Sequence, residues 1–120
     1  MTGPKHGPSW PTWSRCVRGD IFELKASRQA RGHEQRGSRY VIVVQSDLLP
    51  LSTWLVAPTS TSAKPTSFRP EIEIDSKTTL VLVEQTAAID PERLGYLVGH
   101  LTSREMSTVD EALRVVLALT

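Results

Sequence analysis

The sequence has little cysteine: Cys16 stands alone, which excludes an intramolecular disulfide and a cysteine-built metal cage and fits a reducing, cytosolic compartment. It also lacks an excess of charge. Lys and Arg total 14 against 13 Asp and Glu, a formal net charge of +1, so no overall basic character marks it as a nucleic-acid coat, and any polyanion site must be local. There is no long apolar run: residues 1–14 combine prolines with Trp10 and Trp13 but place no apolar stretch behind a basic end. That start therefore reads as neither a signal peptide nor a membrane segment. Internal repeats and low-complexity segments are absent as well. What is present, 120 residues with 39% hydrophobic content, suits a single core. Residues 1–15 are expected to form a flexible extension and 16–120 the functional domain.

The charge that does exist is unevenly spread. Between Lys25 and Arg39 the ionised residues are Lys25, Arg28, Arg31, Arg36 and Arg39 against Glu34 alone. This glycine-flanked, basic stretch runs directly into the apolar run Tyr40 to Gln45. A guanidinium at the mouth of a rigid strand is held in a fixed place, which recognition of a phosphate requires. Glycines at 32 and 37 let the backbone turn or approach a ligand closely.

Hydropathy patterning predicts about six short strands. Gly19 to Leu24 reads as the first, after the turn Arg18-Gly19-Asp20. Lys25 to Ser38 has no apolar period and reads as a long loop, a length that in compact domains usually carries function or is disordered. Tyr40 to Gln45 reads as a central strand buried on both faces. Thr53 to Ala57 is expected as the third strand, closed by Pro58 and the hydroxyl series Thr59 to Ser62. Arg69 to Ile74 alternates, with Ile72 and Ile74 on one face and Glu71 and Glu73 on the other. Thr79 to Glu84 is again β-rich. Asp90-Pro91 starts a short helical turn stopped by Gly95, and Tyr96 to Leu101 is the last strand. The capping box Thr102-Ser103-Arg104-Glu105 opens an amphipathic helix with Met106, Val109, Leu113, Val116 and Leu117 on one face. The fold class is therefore mainly β with one C-terminal helix: a small, strongly bent antiparallel sheet or SH3-like, partly open barrel, with the helix over one opening.

Several short motifs, in order, resemble the MazF/PemK toxin endoribonucleases of type II toxin–antitoxin systems. They are Arg18-Gly19-Asp20-Ile21, Gly32-His33-Glu34-Gln35 with Arg39, Ala57-Pro58-Thr59-Ser60, Val83-Glu84-Gln85, Ile89-Asp90, Arg93-Leu94 and Val109-Asp110-Glu111-Ala112-Leu113. Two positions depart from the family pattern. Tyr40 follows the matching arginine where proline is usual, and Ser60 takes the place of a threonine, flanked by Thr59 and Thr61.

The resemblance implies a CcdB/PemK-like fold and a metal-independent, cofactor-free cytoplasmic toxin that cuts single-stranded RNA and so inhibits translation and growth. It also implies a homodimer, a cognate MazE-like antitoxin and no membrane association. In-line attack by a ribose 2′-OH builds negative charge on the phosphate, which Arg39 and a Ser60 hydroxyl would stabilise. Glu34 is the expected acceptor of the 2′-OH proton, with His33 as the alternative. Arg31, Gln35, Arg36, Tyr40, Thr59, Thr61 and Gln85 are the expected substrate contacts, with Tyr40 placed where a base would stack. Trp10 and Trp13 could also stack on bases, whereas Trp54, within a strand, suits a core or dimer interface. Two rival readings are a non-catalytic CcdB-like toxin poisoning a protein such as gyrase, and a barrel that binds RNA without cutting it.

Overall fold

A computed structural model describes residues 17–25, 39–49 and 51–119. Seven strands form one curled antiparallel sheet: β1 Asp20–Leu24, β2 Arg39–Val43, β3 Trp54–Ser60, β4 Glu71–Ile74, β5 Lys77–Val81, β6 Ala87–Ile89 and β7 Leu94–His100. The order is β4-β5-β3-β2-β1-β7, with β6 added to β3. The helix α1 follows as Ser103–Leu117. The expected half-barrel with one C-terminal helix is thus observed.

The Val/Ile run lies at the centre, as its composition requires. Strand β2 pairs with β1 on one side and β3 on the other, and its side chains supply both faces. Ile42 and Val44 join Ile21, Ala57, Val81 and helix residue Val109 in one cluster. Val41 and Val43 join Phe22, Trp54, Val56 and Leu94 in a second. Trp54 is therefore a core residue, only 7% exposed. Each such burial contributes about 1.5–3 kcal/mol, so β2 anchors whatever emerges from its ends.

Helix α1 covers the first cluster through Val109 and Ala112. Its capping box forms as expected: Thr102 Oγ1 accepts from the Glu105 N–H at 3.1 Å, and Glu105 Oε1 accepts from the Thr102 N–H at 2.9 Å. Glu105 Oε2 also accepts from the Glu73 N–H of β4 at 3.0 Å, so one carboxylate ties the helix start to the sheet. Leu117, expected on the buried face, is exposed. At 3.6 residues per turn it sits about 80° round the axis from Val109, whereas Val116 is nearly in line.

The Arg18-Gly19-Asp20 turn is structural. Gly19 takes φ +97° with the His100 ring and Met106 sulfur against it, a conformation that favours glycine. Asp20, buried, receives the Val17 N–H at 3.0 Å and lies 2.8 Å from His100 Nδ1. Arg18 donates to the Val44 carbonyl at 2.8 Å, and its Nη1 lies 2.8 Å from Asp110 of the helix, an ion pair whose angle falls short of a hydrogen bond.

Several boundaries differ from the sequence reading: β2 ends at Val43 rather than Gln45, and β4 begins at Glu71 rather than Arg69. Strand β3 does not stop at Pro58 but runs to Ser60. One edge of β3 is shared by β6 at residues 54–56 and β5 at 59–60, so Pro58 falls in the gap where no ladder N–H is demanded, while its carbonyl accepts from Leu82 at 2.8 Å. Strand β5 ends at Val81, and Val83–Gln85 is a 3-10 turn because Val83 dips into the core. Strand β6 is additional, its three residues too short to display an alternation. Strand β7 begins at Leu94, directly after the expected turn Pro91–Arg93, which Asp90 caps by accepting from Glu92 N at 2.9 Å. The extension 1–15 and nearly all of the Lys25–Ser38 loop lie outside the described residues.

Candidate active site

The sheet forks at the end of β3. Strands β2 and β3 pair from Val43 opposite Val56 to Val41 opposite Pro58, beyond which β3 continues through Thr59 and Ser60 along β5 on its other edge. The start of β2 is left facing the departing end of β3. Between them opens a cleft of about 600 Å³, lined by Arg39, Tyr40, the hydroxyl series Thr59 to Ser62, the β4–β5 hairpin and Gln85. Continuing the β2–β3 register by two residues sets Tyr40 against Thr59 and Arg39 against Ser60.

The side chains divide by the pleat. Arg39 alternates with the Val41–Val43 face and Ser60 with the Val56 face, while Tyr40 and Thr59 belong to the helix-side face, where Tyr40 packs on the core. Thr59 Oγ1 donates to the Tyr40 carbonyl at 2.9 Å, replacing the ladder bond lost where the strands part. Its proton is committed. Ser60 Oγ instead accepts from the Ser62 N–H at 3.1 Å and the Ala63 N–H at 2.9 Å. Both bonds use its lone pairs, so its proton remains available to an anion in the cleft. Thr61 lies exposed at the rim. Arg39 is exposed, and among the described residues its guanidinium has no hydrogen-bond or ion-pair partner.

Of the expected site residues, the structure brings together Arg39, Tyr40, Thr59, Ser60, Thr61 and Gln85. Arg31, His33, Glu34, Gln35 and Arg36, with Trp10 and Trp13, lie outside the described residues. The sequence reading missed the opposite wall, where Asp75, Lys77 and Thr79 face the hydroxyl series. Asp75 and Ser76 both take positive φ, 53° and 66°, the two-residue hairpin geometry usually given to Asn-Gly. Only the Asp at its first position could have signalled that turn.

A second missed feature is an ion pair between the loop before β4 and the turn that carries Gln85. Arg69 donates through Nε and Nη2 to Glu84 Oε2 at 2.9 and 2.6 Å, and through Nη1 to the Lys64 carbonyl at 2.8 Å. Burial acts to raise the Glu84 carboxyl, but the Arg69 hydrogen bonds, a backbone N–H and the guanidinium charge outweigh it and hold the group below the usual glutamate range. Among the described residues no three His, Cys, Asp or Glu side chains group as metal ligands, and no helix is long and apolar enough to cross a membrane.

The family described as PemK-like, MazF-like toxin of type II toxin–antitoxin systems matches residues 17–117. A Mycobacterium tuberculosis protein assigned as a toxin is 38% identical over 104 residues, 86% of this chain and 98% of its own length. Endoribonuclease EndoA of Bacillus subtilis is 34% identical over 110 residues, 85% of this chain and 94% of its own length. Among solved structures, a mycobacterial endoribonuclease in complex with its cognate antitoxin superposes with a TM-score of 0.71 at 15% identity, covering 88% of this chain and 97% of that one.

Proposed function

Because the chain belongs to the PemK-like, MazF-like toxin family of type II toxin–antitoxin systems, we propose that it is a sequence-specific endoribonuclease that cleaves single-stranded RNA at the β2–β3 fork. The observation that supports the site assignment is the pairing, at one cleft, of a guanidinium that has no partner among the described residues with a hydroxyl whose oxygen only accepts there. The ribose 2′-oxygen attacks the adjacent phosphorus, the bond to the 5′-oxygen breaks, and a 2′,3′-cyclic phosphate and a 5′-hydroxyl result. Arg39 and Ser60 stabilise the charge on the non-bridging oxygens. Glu34 takes the 2′-OH proton, a water oriented and polarised by Arg39 protonates the leaving oxygen, and the hydroxide left is neutralised by the proton on Glu34, so that Arg39 stays protonated throughout. These groups supply the chemistry without a metal.

Tyr40 and Gln85 border the same cleft and suit stacking on, and hydrogen bonding to, a neighbouring base; Lys77 adds a cation on the far wall. Arg31, Gln35, Arg36, Thr59 and Thr61 complete the proposed RNA contacts. By analogy with the antitoxin-bound mycobacterial structure, the activity is held in check by a cognate antitoxin. The toxin acts in the cytoplasm as a homodimer that pairs two basic loops. The test is incubation with a long mixed-sequence RNA in excess chelator, with end mapping. Cuts at one short motif leaving cyclic phosphate ends are expected. Intact RNA under these conditions overturns the reading and returns weight to a toxin that poisons a protein target.

A further inference from the structure

We propose that Arg69 and Glu84 act together as a positioning pair for the cleft, fixing the wall that carries Ser60 relative to the turn that carries Gln85; this rests on the reading of the cleft as the nuclease site. Two segments form that side. One is the loop 61–70, whose first residues donate to Ser60 Oγ. The other is the turn Val83–Gln85, held from below by buried Val83 and by the Leu82 N–H on the Pro58 carbonyl at 2.8 Å.

Few main-chain bonds steady the loop. Within it the Arg69 N–H reaches the Thr66 carbonyl at 3.3 Å, and the Phe68 N–H reaches Thr66 Oγ1 at the same distance. The loop's end is tied to β5 by the Val81 N–H on the Pro70 carbonyl at 2.9 Å, and Arg69 supplies the side-chain tie between the loop's start and the neighbouring turn. One arm of its guanidinium grips Lys64 near the loop's start while the other two nitrogens grip Glu84, one residue from Gln85. The guanidinium also lies 5.8 Å from the Phe68 ring centroid. The pair is largely shielded, with side-chain exposures of 20% and 25%, so solvent screens it less than an ordinary surface pair.

Neither side chain lines the cleft, so neither touches the phosphate in this account. Loss of the pair releases residues 61–64 and with them the two N–H groups that orient the Ser60 hydroxyl. A donor that must be reordered in each catalytic cycle lowers the rate of the chemical step more than it weakens RNA binding.

The experiment compares the full chain with Arg69→Gln, Glu84→Gln and the exchange Arg69→Glu/Glu84→Arg, with Arg114→Gln as a surface control. Each single variant is expected to lower kcat on the order of 10-fold, given that a displacement of ~1 Å at a reacting group can cost ~100-fold, with KM changed less than about twofold. The exchange is expected to recover part of the loss. Amide hydrogen exchange at Ser62 and Ala63 is expected to speed up in both single variants, at temperatures where melting curves show them folded. Equal exchange at those amides in Arg69→Gln and the parent overturns the proposal whether or not RNA is cut. A rise in KM at constant kcat overturns it too, because the pair would then serve binding. If the parent itself does not cut RNA while the amides respond, the pair stands as a brace and the nuclease reading fails.

Discussion

Replacing Arg39 with alanine separates the chemistry from the fold. Arg39 is exposed at the first position of β2, and among the described residues its guanidinium has no partner, so its loss empties no core volume and orphans no buried group. Substitutions of that kind change stability by no more than about 0.5 kcal/mol. The cost to catalysis is of a different size, because one preorganised donor to a developing oxyanion is worth about 2.7–4 kcal/mol, or roughly 100- to 1000-fold in kcat. Arg39→Lys keeps a charge but loses the planar fork and is expected to recover little. The assay is single-turnover cleavage of a short RNA containing the mapped motif, in chelator, alongside thermal melts of parent and variants. Folded Arg39→Ala protein that cuts at near the parental rate would refute the assignment of Arg39 to the phosphate.

The hydroxyl series yields a second prediction: Ser60→Ala lowers kcat more than Thr59→Ala or Thr61→Ala, and a larger loss in Thr61→Ala would move the catalytic donor one residue on along the chain. Thr102→Ala removes the helix cap at a cost of about 1 kcal/mol, seen as a melting temperature a few degrees lower; an unchanged melt would show that the Glu105 contact to β4 suffices. Glu84, whose folded-state carboxyl is held low mainly by Arg69 against the pull of burial, contributes stability that is fully present above its unfolded pKa of about 4.3 and is lost as pH falls through its lower folded value. Parent protein should therefore lose more stability than Glu84→Gln on acidification below that point, and parallel pH–stability curves would contradict the pairing.

The parts of the fold legible in the sequence were those with a local cause. The Val/Ile run of β2 and the Thr102–Glu105 box each carry their reason within a few residues; the box appears as read, and the central strand is present but spans Arg39–Val43 rather than Tyr40 to Gln45. Pro58 misled because its effect depends on which strands lie on either side: in isolation it ends a strand, but between β5 and β6 it occupies a step where its missing N–H is not called for. Val83-Glu84-Gln85 looked like a strand end because an apolar residue behind a β-rich run is equally consistent with a strand and a buried turn. The Arg69–Glu84 pair spans 15 residues, and no local pattern reports a partner at that separation. Lys77 and Asp75 were invisible for the same reason, since they meet the hydroxyl series only once β5 has joined the end of β3.

The fork accounts for both halves of the site with one piece of geometry. The β2–β3 ladder stops at Val41 opposite Pro58 while β3 runs on to Ser60 along β5 on its other edge, so main-chain groups at the start of β2 lose their ladder partners and require either water or a side chain. Thr59 supplies the side chain: its hydroxyl takes the Tyr40 carbonyl and holds β2 close at the last step before the strands part. One residue on, Ser60 faces the other way and is spared that duty, its oxygen instead gathering the N–H groups of the following turn. Adjacent hydroxyls therefore do different work because the pleat sends them to opposite faces. The first keeps the cleft at a fixed width, and the second offers its proton across that width, on the same face as Arg39. The usual proline after the arginine would stiffen β2 at this point. With Tyr40 there instead, the Thr59 bond to its carbonyl becomes the restraint on the β2 backbone beside Arg39, which makes Thr59→Ala the substitution expected to loosen the guanidinium without touching it.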